Sequence, residues 1–346
     1  MKKSLIALAV LAASGASFAQ STVSVYGILD AWMGVNKAAN GVSTTMVGSG
    51  GVDGDRWGLK GSEDLGGGLK ADFVLEQGFS IDTGAADTIG ATDFGVNGKA
   101  GSAVSSAFAR YSAVGFSGGF GEVKLGKYST AYDMVENGAN GVFNSALSAE
   151  KATWKSGATY NWNPANGIYY ATPEMGGFSA AVSYALGENK TSNVGAGNIT
   201  AFNVKYAQGP IMASLGYQEE KADGNATANK FGQINGSYDF GMAKLQLAYG
   251  TADVTAAVQT KTSEYEIGVT APVSTALAVS ANYAYSKDDD NAVATGVKRS
   301  GIGLGAAYSL SKRTFVYGGY RAETAKQDGA ENVDTHLFAV GVHHVF

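Results

Sequence analysis

The feature that most constrains this chain is alternation with period two, sustained from Thr22 almost to its last residue, Phe346. Val23, Val25, Leu29 and Met33 fall on one face of a strand, and Ser24, Tyr26 and Asp30 on the other. Phe178, Ala180, Val182, Tyr184 and Leu186 alternate with Ser179, Ala181 and Ser183; Leu277, Val279, Ala281, Tyr283 and Tyr285 alternate with Ser280, Asn282 and Ser286. Successive side chains of a strand point to opposite faces, so this pattern describes strands with one apolar and one polar side. The connections alternate too. Short turns stand at Gly66–Gly68, Gly118–Gly121, Gly176–Gly177, Gly209–Pro210, Phe240–Met242, Ser274–Ala276 and Ser311–Arg313. Longer polar segments stand between them, at Lys37–Gly51, Asp82–Ser102, Tyr128–Lys155, Glu188–Asn198, Ala222–Asn229, Thr251–Lys261, Asp288–Lys298 and Ala325–Asn332. Fifteen connections join sixteen strands. An even number of strands of about ten residues, with short turns at one end and long loops at the other, marks a closed barrel that crosses a membrane. A soluble sandwich gives no reason for that regularity.

The apolar faces are repeatedly tipped by aromatic residues: Tyr184, Tyr206, Tyr217, Tyr249, Tyr285 and Tyr308. Membrane barrels place such rings at the two lipid–water boundaries. High Gly (49 residues) with only 4 Pro suits many turns and strands rather than a disordered chain. There is no Cys, hence no disulfide framework and no thiol chemistry.

Residues 1–19 read as a secretory signal peptide, with Lys2 and Lys3 before the apolar run Leu5–Ala13 and a small-x-small site at Ser17-Phe18-Ala19. The mature chain, 20–346, is expected to be exported. Without Lys2 and Lys3 it carries 23 basic against 30 acidic residues, a formal charge of −7, and no basic run, which disfavours nucleic acid as a partner.

Enzyme readings fail on residue supply. Gly115-Phe116-Ser117-Gly118-Gly119 matches G-x-S-x-G, but it falls at a short Gly-rich turn and not at a strand-to-helix elbow. His336, His343 and His344 all lie in the final strand and make no metal cage. No phosphate loop or dinucleotide fingerprint is present, so neither cofactor nor metal is expected.

The alternation stops for nearly thirty residues at Tyr128–Lys155, the third long connection, which follows the fifth strand. A loop of this length inside a strand array is functional or disordered. Tyr132, Asp133, Glu136, Phe143 and Glu150, with no Pro and no charge run, point to an ordered one.

The set TVSVYGILDAW (22–32), DRWGLKGSEDLGGGLKADFVLEQGF (55–79), FGEVKLGKYSTAYD (120–133), YYATPEMGGFSAAVSY (169–184) and VGVHHVF (340–346) resembles the general diffusion porins of Gram-negative outer membranes, and is most similar to their beta-proteobacterial branch. The resemblance spans the mature chain. It implies an all-β, 16-stranded antiparallel transmembrane barrel, a homotrimer, with the third loop folded inward to narrow a water-filled pore that passes ions and small hydrophilic solutes. It implies contact with outer-membrane lipid and lipopolysaccharide, and recognition of the C-terminal strand ending in Phe346 by the barrel-assembly machinery. Within it, Arg56, Lys60, Arg110 and Lys127 are the basic wall of the constriction. Glu76, Asp133 and Glu136 are its acids. One departure stands out: Asn163 occupies a position where relatives often carry a further wall arginine, with Lys151 and Lys155 as candidate substitute charges. Opposed charges across a water-filled constriction would bias passage toward compact polar solutes and weakly toward one ion sign. The runner-up is a structural or adhesin barrel that displays loops without an open pore.

Overall fold

A computed structural model describes residues 22–89, 104–136, 138, 140–188, 190–192, 195–221, 228–255, 259–289 and 296–346. The leader and the central parts of several long loops lie outside the described residues. The strands are β1 (Thr22–Lys37), β2 in two halves (Ser43–Ser49 and Arg56–Gly66), β3 (Leu69–Gly78), β4 (Tyr111–Gly118), β5 (Gly121–Lys127), β6 (Gly167–Ala171), β7 (Phe178–Leu186) and β8 (Asn198–Gln208). The chain continues with β9 (Ile211–Lys221), β10 (Ala228–Asp239), β11 (Lys244–Thr255), β12 (Gln259–Pro272), β13 (Leu277–Asp288), β14 (Lys298–Ser309), β15 (Thr314–Lys326) and β16 (Val333–Val345). Each pairs antiparallel with its sequence neighbour, and β16 pairs with β1 from Ile28↔Val345 to Lys37↔His336. The sixteen strands thus close into one barrel. Closure removes the sheet edge, which lipid would leave without hydrogen-bond partners.

The seam is finished by the last residue. Gly27 and Phe346 exchange backbone hydrogen bonds of 3.1 and 3.0 Å. A Cβ on Gly27 would stand 2.3 Å from the Phe346 ring, so only glycine admits the ring there.

Burial is inverted relative to a soluble protein. Val25, Phe116, Val182, Leu247, Ile267, Leu304 and Val340 are exposed, while Gln218, Asn235, Glu264, Ser280 and Asn282 are buried. In a closed cylinder the exposed apolar residues stand on the convex outside and the buried polar ones line the inside, the arrangement of a barrel solvated by lipid. Aromatic pairs ring the outside near both ends: Phe178–Tyr206 and Tyr238–Phe240 by the short turns, Phe202–Tyr217 and Tyr249–Tyr265 by the long loops.

Two connections differ from the sequence reading. Lys37–Gly51 is not one long loop: Ser43–Ser49 pairs with β1, leaving a tight turn at residues 38–42. The interruption falls later, at residues 50–55, inside β2. There the Asp30 carboxylate accepts the backbone N–H of Val52 (2.7 Å) and Asp53 (2.9 Å) and the Tyr317 hydroxyl (2.6 Å). Asp30 supplies partners that the broken ladder does not, so the Gly-rich composition marks the break and not the turn. Similarly, β11 and β12 run well into Thr251–Lys261, pairing as far as Thr255↔Gln259.

Candidate pore constriction

The third loop leaves β5 at Lys127 and returns at β6, so it occupies residues 128–166, eleven more than the alternation alone suggests. It holds three one-turn α-helices, α1 (Asp133–Glu136), α2 (Glu150–Thr153) and α3 (Ser156–Thr159), and a 3-10 turn at Val142–Asn144. Such short pieces leave most backbone groups without internal partners, and buried backbone groups must be satisfied elsewhere. Inward side chains of the wall do this. Asn235 donates to Val135 O (2.6 Å), Gln233 to Glu136 O (2.6 Å) and Gln246 to Asn140 O (2.7 Å). Glu266 accepts from Gly141 N (2.8 Å), Ser280 from Val142 N (2.9 Å) and Asn282 from Ala149 N (3.2 Å). Glu264 accepts from Lys155 N and from both the N–H and the hydroxyl of Ser156. Arg321 donates to Ala146 O (2.5 Å). The loop is therefore fastened to the inner face from β10 to β15.

Glycines make the seat. A Cβ on Gly303 would stand 2.4 Å from Leu147 O, and one on Gly305 2.7 Å from a Val142 methyl. Held against this surface, Val142, Phe143 and Asn144 take left-handed backbone with φ of 50, 62 and 53°. That conformation costs a β-branched residue on the order of 1–3 kcal/mol and persists where the surroundings over-determine it.

Facing the loop across the barrel is an arc of bases on β2–β5. Arg56 pairs with Asp53 at 3.0 Å, and Asp53 is also bonded to His343 at 3.0 Å. Arg110 pairs with Glu76 at 2.7 Å, and its guanidinium lies 4.8 Å over the Trp162 ring. Glu76 also accepts the Tyr26 hydroxyl at 2.9 Å. Lys127 donates to Asn163 O at 2.5 Å, and the Asn163 amide donates to Arg110 O at 2.8 Å. The ladder pairings Gly58↔Glu76, Glu76↔Tyr111 and Ser112↔Lys127 set these groups at one level around the wall. Lys60, two pairs further down, rests 4.8 Å over Tyr26.

The acids do not all stand where the sequence reading puts them. Glu76 belongs to the basic side, as the partner of Arg110. Asp133, half-buried, accepts the Tyr160 hydroxyl at 2.7 Å; burial raises its pKa, opposed by that bond and by Arg110. Glu136 is only 1% exposed, so its carboxylate is not presented to the lumen. Its Oε1 and the Oε1 of Glu150 both approach the position a Cβ on Gly157 would take, at 3.1 and 2.9 Å, and neither oxygen has a hydrogen-bond partner among the described residues. Burial, with Glu150 beside it, pushes the Glu136 carboxyl up to about 8. Lys151 lies 3.5 Å from Glu150; burial works against its charge, but Glu150 and Glu136 outweigh that and hold its pKa above the ordinary lysine range. Lys155 pairs with Asp288 at 3.0 Å. Both lysines are thus engaged with acids, Lys151 within the loop and Lys155 on β13.

A model of the Gram-negative porin family matches residues 5–328. The chain belongs to the Gram-negative porins. It is 39% identical over 335 residues to outer membrane porin protein 32 of Delftia acidovorans, covering 92% of this chain and 88% of that one. It is 28% identical to an outer membrane porin of Bordetella pertussis, over the whole of both chains. Among solved structures it resembles the anion-selective porin from Comamonas acidovorans, with a TM-score of 0.72, 28% identity, and coverage of 94% of this chain and 100% of that one. This porin is an outer-membrane barrel for the general diffusion of small hydrophilic solutes.

Several residues that hold the porin's third loop escape a sequence reading. Gln233, Asn235, Gln246, Glu264, Glu266 and Asn282 are inward by parity, yet parity does not say that a loop covers them. Glycine at inward positions of long strands (Gly216, Gly268, Gly303, Gly305) was the available signal, because such glycine often marks the close approach of another backbone.

Proposed function

We propose that the third loop is the constriction of the pore, and that Arg56, Lys60, Arg110 and Lys127 tilt it weakly toward anions. The single observation that carries this reading is the division of the inner wall: the bases form one arc, and the loop with its acids is fastened to the opposite one. The tilt is weak because Arg56 and Arg110 each share their charge with a carboxylate, Asp53 and Glu76. The anion selectivity of the Comamonas acidovorans porin supports the sign. Asp133 is the loop acid nearest the arc, within the electrostatic reach of Arg110. Passage is passive and no enzymatic step is assigned.

Three further parts of the reading rest on kinship and sequence. The porin works as a homotrimer embedded in lipid and lipopolysaccharide. Residues 1–19 are removed on export. The barrel-assembly machinery engages the final strand through Phe346. The test is a planar-bilayer recording of the purified protein: stable conductance steps arriving in threes, with a reversal potential of anionic sign in a salt gradient. Neutralising Arg56, Arg110 and Lys127 together should move that potential toward cations. A closed barrel with no conductance would overturn the pore, and a potential indifferent to the three substitutions would overturn their role.

A further inference from the structure

Toward the short-turn end of the lumen, the wall of β1–β5 is hollowed. Inward side chains of Ser24, Tyr26, Lys60, Asp72, Ser117 and Lys124 enclose a recess of about 480 Å³. That is within the usual size of a small-molecule site. Its rim carries both signs of charge: Lys60 on β2, Asp72 on β3, and Glu122 and Lys124 on β5.

These charges are not equally occupied. Lys124 is paired with Glu122 and lies 4.5 Å over the Tyr128 ring. Asp72 accepts the Ser117 hydroxyl at 2.5 Å, which leaves room for further donors at a carboxylate. Lys60 is exposed and rests over Tyr26, outside any ion pair among the described residues. The register Lys60↔Val74 and Ser62↔Asp72 makes Lys60 and Asp72 diagonal neighbours on adjacent strands. An ammonium and a carboxylate thus face one small water-filled space from two strands.

We propose that this recess binds small zwitterions, free α-amino acids being the fitting class, with the solute carboxylate on Lys60 and its ammonium on Asp72. A simple anion drawn to Lys60 also meets Asp72 and Glu122. A simple cation drawn to Asp72 also meets Lys60 and Lys124. Only a solute with both charges gains at both contacts, since opposite charges attract and like charges repel with the same distance law. The site lies four residues beyond Arg56 along β2 and four before Glu76 along β3, so a solute leaving the constriction enters it next. The inference rests on the pore being open to solutes.

The test uses the whole protein in a planar bilayer in potassium chloride at neutral pH, with glycine, acetate or methylammonium added at the short-turn side, each variant normalised to its own conductance. Glycine is expected to lower the current saturably, at concentrations at least tenfold below any saturation by acetate or methylammonium. Lys60→Gln and Asp72→Asn should each weaken the glycine effect at least fivefold, while Lys60→Arg and Asp72→Glu retain it. Heat-modifiable migration in detergent gels confirms that each variant is folded. Acetate saturating as well as glycine, or a glycine effect unchanged in both neutral variants, would overturn the proposal. Intact conductance with no glycine saturation sinks the recess alone; absence of any conductance sinks the pore itself.

Discussion

The two sides of the inner wall use the same alternation for opposite ends. On β2–β5 the inward positions carry Arg56, Glu76, Lys124 and Lys127, whose charges are balanced by neighbours on the same arc or by the adjoining segment at Asn163, and Lys60, which stands outside any ion pair among the described residues. On β10–β15 the inward positions carry glycines, amides and carboxylates whose partners belong to a loop 97 or more residues away in sequence. Gln233 with Glu136 O and Asn282 with Ala149 N are examples. The first arc satisfies its charges largely within the wall. The second is a socket. Inward-facing therefore does not mean lumen-facing, and a carboxylate count along the strands misjudges the charge a solute meets.

Damage to the socket should be structural, and damage to the basic arc should be electrical. The largest effect is expected from Gly303→Val, whose side chain must displace Leu147 O and Asn282 Oδ1, both 2.4 Å from the Cβ position. Overpacking of this kind costs about 3 kcal/mol. It should lower the temperature of heat-modifiable unfolding and widen single-channel conductance as the loop lifts. An unchanged transition and conductance would break the distinction between the two walls.

Glu264→Ala comes next. It strands the N–H groups of Lys155 and Ser156 and the Ser156 hydroxyl, at roughly 1–3 kcal/mol for each buried group left unpaired. Glu264→Gln retains an acceptor oxygen and should cost distinctly less by the same thermal measurement. Equal losses in the two variants would argue that the loop is held by packing alone.

A smaller effect concerns pH. The folded-state pKa of Glu136 is raised, to about 8, above the ordinary glutamate value of 4.5. The folded protein therefore favours the protonated acid. Its contribution is fully present below about pH 4.5 and is lost as pH rises through 8. Thermal stability of the wild type should fall across that window, and Glu136→Gln should flatten the fall. A Gln variant with the same pH slope would place the titration on another group.

The smallest effect belongs to the basic arc. Arg110→Gln removes one charge from a water-filled lumen, where a unit charge about 8 Å away weighs about 0.5 kcal/mol. The chloride-to-potassium permeability ratio should fall by roughly twofold, with the thermal transition nearly unmoved. A large stability loss instead would make Arg110–Glu76 a structural pair first and an electrical one second.

Much of this porin can be read without coordinates because its strongest signals are local. Alternation gives the inward parity of Arg56, Glu76 and Asn235 alike, short glycine turns give the strand number, and the last residues imply a seam with the first strand. The signal was weaker where composition and geometry part company. Gly48–Gly51 looks like a loop but is the end of a paired half-strand and a break, because the Asp30 side chain substitutes for missing ladder bonds.

The sequence by itself thus determined a sixteen-stranded membrane barrel, the face each strand turns to lipid, and an irregular segment after the fifth strand. Those follow from the two-residue repeat of the backbone and from the intolerance of lipid for unpaired edges. The tertiary structure alone decided which inward groups meet the loop, that Asn163 joins Lys127 to the Arg110 backbone, and why Glu136 is hidden. These depend on contacts between residues far apart in the chain, on which a two-residue repeat carries no information.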